Sequence, residues 1–166
     1  MTLERIWAGW RRQYVSETAG RQTDCFLCAV ADPGAGIDAA SLVLERGPNT
    51  VTVMNLYPYG SGHLLVAPTG HHAELEGLSD NVAADLMAAI RRALRVVRAA
   101  YAPDGVNVGF NLGRAAGAGV PDHLHAHVLP RWNGDTNFMT AVAETRVLPE
   151  SLADGWAKLH AAWPVA

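Results

Sequence analysis

Asp122-His123-Leu124-His125-Ala126-His127-Val128-Leu129-Pro130-Arg131 is the segment that decides how the chain is read. In an extended strand, successive side chains point to opposite faces. His123, His125 and His127 therefore fall on one face, with Leu124, Ala126 and Val128 on the other. The pattern predicts a strand over His123–Leu129 that lays a row of imidazoles over an apolar back. Histidine is not a favoured strand residue, yet three of the chain's seven histidines alternate here. That argues against an edge strand that is histidine-rich by accident. Such a row has two chemical uses. Neutral imidazole attacks phosphorus once its other ring nitrogen donates to a carbonyl, which fixes tautomer and orientation, and imidazole is also the commonest protein ligand of metal ions.

Working outward, the glycine-rich loop Gly113-Arg114-Ala115-Ala116-Gly117-Ala118-Gly119 runs on to Pro121, and its small residues let backbone donors approach a phosphate closely. Val106–Asn111 before it reads as a strand. Leu42–Glu45 and Val51–Asn55 read as a hairpin around the turn residues Gly47, Pro48 and Asn49. A further strand, His63–Ala67, follows the turn segment Tyr57–Gly62 and ends at Pro68. Between the strands lies one long helix. Ser79 suits its N-cap, Val82, Leu86, Ile90, Leu94 and Val97 recur at helical spacing, and it stops near Tyr101 before Pro103. Arg91, Arg95 and Arg98 form its solvated face. Strands joined by short turns, with helices grouped rather than alternating, predict an α+β domain: a mainly antiparallel sheet of about five strands with one long and one or more short helices.

Composition sets the outer limits. A chain of 166 residues suits one domain over 1–166, in which 1–22, amphipathic and rich in Arg and Trp, form an N-terminal arm and 140–166 a C-terminal extension. Hydrophobic residues make up 49% and charged ones 17%, a globular balance. Thirteen basic against sixteen acidic side chains leave a net charge of −3, so no overall positive field holds a polynucleotide. The sequence has no apolar run long enough to span a membrane, and its opening mixes charges with tryptophans where a secretory signal needs an apolar stretch. A cytoplasmic protein is expected. Its two cysteines, Cys25 and Cys28, have C-x-x-C spacing and point to metal or redox chemistry ahead of a structural disulfide. Two thiolates can fill two corners of a tetrahedral metal site whose other corners need imidazole or carboxylate. The competing readings are two reduced cysteines in an apolar loop and a thioredoxin-like pair. The latter is disfavoured because the pair is not expected to open a helix after a parallel strand.

HLHAHVLPRW resembles the signature of the histidine triad (HIT) family, alternating histidines followed by Pro-Arg. The opening LERIWAGWRRQYV, the CFLC pair, the stretch from Asn55 to Gly62-His63 and into LLVAP, and the tail PRWNGDTNFM through ETRVLPESL are similar to its bacterial branch related to diadenosine tetraphosphate phosphorylase. The resemblance implies a small α+β domain, usually a homodimer, that cleaves nucleoside phosphoanhydrides or phosphoramidates through a nucleotidyl-histidine. By motif position it implies His125 as nucleophile, His127 as its assistant at the phosphate or leaving group, and His63 as the outlying active-site histidine. Asn55 matches a ribose-binding residue, though it also reads as a turn-former before Tyr57-Pro58. Asn111 matches a phosphate-side asparagine. Many members carry Gly-Gln and a small polar residue before the triad, whereas this chain has Gly117-Ala118-Gly119-Val120, so phosphate contacts there would fall to backbone N–H groups. Cys25, Cys28, His71 and His123 match the metal ligands of zinc-containing relatives, with His72 as an alternative third ligand. Such a zinc would be structural, tying the N-terminal segment to the strand that bears the nucleophile. The expected activity is nucleotidyl transfer or hydrolysis on dinucleoside polyphosphates, with inorganic phosphate or water as second nucleophile. The alternatives are a hydrolase of adenosine monophosphate derivatives such as phosphoramidates, and a nucleotide-binding protein without turnover.

Overall fold

Five strands, β1 (Val43–Arg46), β2 (Thr50–Met54), β3 (Leu64–Pro68), β4 (Gly105–Phe110) and β5 (Ala126–Arg131), make one antiparallel sheet in the order β1-β2-β3-β5-β4. The computed structural model describes residues 25–135 and 149–164. The arm expected over 1–22 and residues 140–148 and 165–166 of the expected extension lie outside them. The α+β class is as expected, and the sheet order explains how the site is assembled: β5 threads between β3 and β4, so residues distant in sequence flank the histidine segment on both sides.

The central strands are made of the residues that a pleated, buried surface accepts. TVTVM of β2 and LLVAP of β3 are buried at every position. They are covered by α2 (Asp80–Tyr101), which packs on β2, β3 and β5 and buries Leu86, Ala89, Ile90, Ala93, Val96 and Val97 at helical spacing. Its arginines 91, 95 and 98 are exposed. The helix ends where Ala102 turns into the left-handed region at φ 44°, just before Pro103.

Two elements correct the sequence expectations. The strand predicted over His123–Leu129 begins only at Ala126. Ahead of it the backbone is committed elsewhere: the Leu124 N–H donates to the His72 carbonyl, and β3 ends at Pro68, which has no N–H to offer a ladder. The cysteine pair, contrary to expectation, does open a helix, α1 (Phe26–Ala31), with Cys25 at its N-cap. Among the described residues the sheet beside it has no parallel strand, so the setting still differs from that of a thioredoxin-like pair.

The C-terminal helix α3 (Leu152–Ala161) is capped by Ser151, whose Oγ accepts the Asp154 N–H at 3.1 Å, and packs on α2 and β1. Trp156 Nε1–H donates to the Val43 carbonyl at 2.8 Å, and the Tyr101 hydroxyl donates to Glu150 at 2.6 Å. The ring of Tyr101 closes over Gly62, which sits at φ 70° immediately before His63. A Cβ at Gly62 would come within 2.6 Å of the Tyr101 ring, so this position requires glycine on both conformational and steric grounds. Among the described residues, no helix is long and apolar enough to cross a membrane.

Candidate active site and metal site

The histidine segment divides its work. Over β5 the alternation holds: Ala126, Val128 and Pro130 are buried, whereas His127, Leu129 and Arg131 are half-buried on the opposite face. Because His123 and His125 precede the strand, they escape its strict alternation, and both are buried. His125 stays beside His127, with ring centroids 5.1 Å apart, while His123 belongs to a different cluster.

His125 is 7% exposed, and its Nδ1 lies 2.8 Å from the main-chain carbonyl oxygen of His123. A carbonyl only accepts, so Nδ1 carries the proton and Nε2 keeps its lone pair. Burial pulls the imidazole below its ordinary pKa, against the smaller opposite pull of that hydrogen bond. A neutral ring with a free Nε2 results, which is the form that can act as a nucleophile.

A second chain of contacts assigns the other two rings. The Tyr59 backbone N–H donates to His63 Nδ1 at 3.0 Å, and Asn55 Nδ2 reaches the same atom at 3.3 Å. With Nδ1 accepting, His63 holds its proton on Nε2 and donates it to His127 Nδ1 at 2.9 Å. His127 is thereby fixed as the tautomer with Nε2–H. Asn111, just past the end of β4, brings its amide to 3.4 Å from that Nε2, and a donor there is matched when the amide turns its oxygen inward. Asn55 also accepts the Tyr57 N–H on Oδ1, so it forms a turn and touches His63 at once.

The glycine-rich loop is internally bonded. Its turn Arg114–Ala116 is flanked by Gly113 at φ 76° and Gly117 at φ 88°. The Gly117 N–H donates to the Arg114 carbonyl and the Ala118 N–H to the Gly113 carbonyl. Of Gly117, Ala118 and Gly119, the loop glycines and alanine expected to bind substrate, Gly119 alone has an N–H without a hydrogen-bond partner among the described residues.

Cys25, Cys28, His71 and His123 present ligand atoms that all lie within 4.8 Å of one another, an arrangement that could hold a metal ion. Cys25 Sγ is 3.2 Å and Cys28 Sγ 3.5 Å from His123 Nδ1, and Cys28 Sγ is 3.2 Å from His71 Nδ1. His123 Nε2–H donates to the Pro68 carbonyl at 2.9 Å, which leaves Nδ1 unprotonated toward the cluster. Burial is the main cause that lowers the His123 pKa, the Pro68 contact opposing it and His71, His125 and His72 adding to it. Burial, then neighbouring Cys25, raises the Cys28 thiol. His72 lies outside this cluster. Its ring sits over Gly70, and what it supplies to the site is the carbonyl that fixes Leu124.

Sequence reasoning placed the side chains but missed the main-chain partners: the Tyr59 N–H, and the carbonyls of Pro68, His72 and His123. The flagged turn Tyr57–Gly62 and the strand-ending Pro68 were the available signals for two of these.

Across residues 38–134 the chain matches the HIT domain. It belongs to the histidine triad family. This HIT protein is 40% identical to the AP-4-A phosphorylase of Mycobacterium tuberculosis over 165 residues, covering 97% of this chain and 85% of that protein. It is 27% identical to the adenosine 5'-monophosphoramidase of Schizosaccharomyces pombe over 128 residues, 77% of this chain and 90% of that one. Among solved structures, a zinc-bound histidine triad family protein from Mycobacterium smegmatis superposes with a TM-score of 0.67 at 28% identity, covering 84% of this chain and 93% of that one. The HIT protein is, like these named relatives, an enzyme.

Proposed function

We propose that this HIT enzyme cleaves dinucleoside polyphosphates, diadenosine tetraphosphate above all, by nucleotidyl transfer through His125. The observation that carries the reading is the 2.8 Å contact between His125 Nδ1 and the His123 carbonyl, which leaves a neutral, buried imidazole with its Nε2 lone pair available. Nε2 attacks the α-phosphorus, forming an N–P bond as the P–O bond to the leaving nucleotide breaks. His127, held as the Nε2–H tautomer by His63, donates to the departing oxygen. Asn111 and the Gly119 N–H serve the phosphoryl oxygens, and Asn55 the ribose. Inorganic phosphate or water then attacks the same phosphorus while giving a proton back to His127 Nε2, and the electron pair of the N–P bond returns to His125. The match to the mycobacterial phosphorylase over almost the whole chain favours phosphate.

The same reading makes the metal zinc and its role structural. Zinc bonds sulfur at about 2.3 Å and nitrogen at about 2.0 to 2.1 Å in a tetrahedron, which sets S···N edges of about 3.5 Å. The 3.2 to 3.5 Å separations here fit those edges. Cys25, Cys28, His71 and His123 would hold the ion, and no step of the reaction passes through it. Neither cysteine is in a disulfide, in keeping with a reducing, cytoplasmic setting. A homodimer is supported by β4: among the described residues its six residues form an edge paired only to β5, with Val108 44% exposed and Leu112 beyond it 46% exposed.

Incubation with diadenosine tetraphosphate, with and without inorganic phosphate, tests the reading. Phosphate-dependent release of adenosine diphosphate is expected, and release without phosphate would make the enzyme a hydrolase. The similarity to a monophosphoramidase supports a second reading, hydrolysis of adenosine phosphoramidate, which wins if that is the only substrate turned over. Binding of nucleotide with no turnover of either substrate would leave a nucleotide-binding protein.

A further inference from the structure

We infer that Arg114 selects substrates that carry phosphates beyond the reacting one, by pairing with the polyphosphate chain of the leaving group. The inference rests on the proposed nucleotidyl transfer and starts from a shortage of positive charge among the described residues of the site. His125 places its Nδ1–H on the His123 carbonyl, and the tautomer chain through His63 and His127 is built of neutral rings. The loop Asn55–His63 contains no charged residue. Between Gly105 and Arg131 the charged side chains are Arg114, Asp122 and Arg131. Arg131 is spent on Asp135 and Asn107. Lys158 is engaged over the Tyr101 ring, 4.2 Å from its centroid. The Arg114 side chain is exposed and makes no hydrogen bond or ion pair with the described residues, which leaves it the uncommitted cation of the segment that frames the site.

Its place in the chain suits the leaving group rather than the nucleoside. The departing oxygen has to lie by His127 Nε2, the atom that Asn111 approaches to 3.4 Å. Arg114 is three residues beyond Asn111, so its backbone lies no more than about 11 Å away, within reach of a long side chain. Its carbonyl accepts the Gly117 N–H at 2.9 Å, which fixes the turn that presents it. Among the described residues there is room beside it: a Cβ placed on Gly113 would meet none of them within 4 Å, and the same holds for Gly109, the β4 partner of His127. A guanidinium offers a planar fork of donors that matches phosphate oxygens, and phosphates past the first are the groups that this open side could receive.

Calorimetric titration of adenosine monophosphate and adenosine triphosphate into the wild type and R114Q, together with kcat/KM on diadenosine tetraphosphate, tests the inference. Wild-type protein should bind the triphosphate more tightly than the monophosphate. In R114Q that preference should fall by roughly ten- to a hundredfold, the scale of one charge-assisted contact, with kcat/KM falling alongside. Monophosphate affinity should change by less than about twofold, and added salt should weaken triphosphate binding less in R114Q than in the wild type. R114K should recover part of the preference. Equal effects on both nucleotides, or no effect on either, would overturn the role of Arg114 while leaving the nucleotidyl transfer reading intact. Failure of the wild type to bind either nucleotide would instead remove that underlying reading.

Discussion

Replacing Gly62 by alanine asks two separable questions of the fold. The first concerns the backbone: at φ 70° an L-residue pays about 1 to 2 kcal/mol that glycine does not. The second concerns space. A Cβ would sit 2.6 Å from Cε2 of Tyr101 and 3.0 Å from two further ring carbons, well inside the usual carbon–carbon separation, and overpacking of this kind costs about 1 to 3 kcal/mol. The unfolded chain loses freedom on gaining a methyl group, which returns about 0.4 to 1 kcal/mol. G62A should therefore destabilise by about 3 kcal/mol, a fall in Tm of roughly 6 to 12 °C for a domain of this size. Denaturant titrations of the cycle formed with Y101A isolate the ring. Tyr101 is half-buried, so Y101A should remain folded, and in that background G62A should cost only about 1 kcal/mol. Y101F keeps the ring and loses only the bond to Glu150, and there the full cost should persist. An equal cost of G62A with and without the ring would refute the steric argument and leave backbone strain as the sole reason for glycine before His63.

H125N should lower turnover of diadenosine tetraphosphate by several orders of magnitude while nucleotide affinity, measured by titration, stays nearly unchanged, because the covalent route is lost and the pocket is not. Equal loss of binding would point to a structural role. H63F should slow turnover roughly a hundredfold by releasing the His127 tautomer, and far less with an activated leaving group such as p-nitrophenolate, which needs no proton; equal slowing of both would remove His127 as the donor. Elemental analysis should find one zinc per chain in the wild type and none in C28S. Chelation should lower Tm markedly while the kcat of the molecules still folded changes only a few-fold. V108K, which puts a charge on the exposed β4 edge, should shift a sedimenting dimer toward monomer, and an unchanged sedimentation coefficient would move the interface elsewhere.

The parts of the molecule that side-chain pattern controls were legible in the sequence. The 80–101 helix announces itself by its apolar spacing, by Ser79 and by Pro103, and the five strands fall within a few residues of their expected places. Cys25, Cys28, His71 and His123, spread over almost a hundred positions, do converge. What pattern could not reveal depends on main-chain contacts between distant segments. The late start of β5 follows from the bond between the Leu124 N–H and the His72 carbonyl, for which no side chain carries a signal. Helix α1 is six residues long and lacks a side-chain cap, so neither periodicity nor capping marks it. Helix α3 was more accessible: Ser151 at its cap, followed by Leu152, Trp156 and Leu159 at helical spacing, is a readable pattern.

The grip on the His125 ring comes from the peptide oxygen of residue 123, not from its imidazole, and this separates two inheritances at a single position. Any amino acid that keeps the local backbone course can orient the attacking ring, whereas a metal-ligating side chain such as histidine is needed to serve the cysteine cluster as well. Descendants of such a chain are thus free to discard the metal and fill its place with an apolar plug without surrendering their chemistry. Redesign could exploit the same freedom, exchanging a metal-dependent anchor for a packed one while the reacting nitrogen stays where it is.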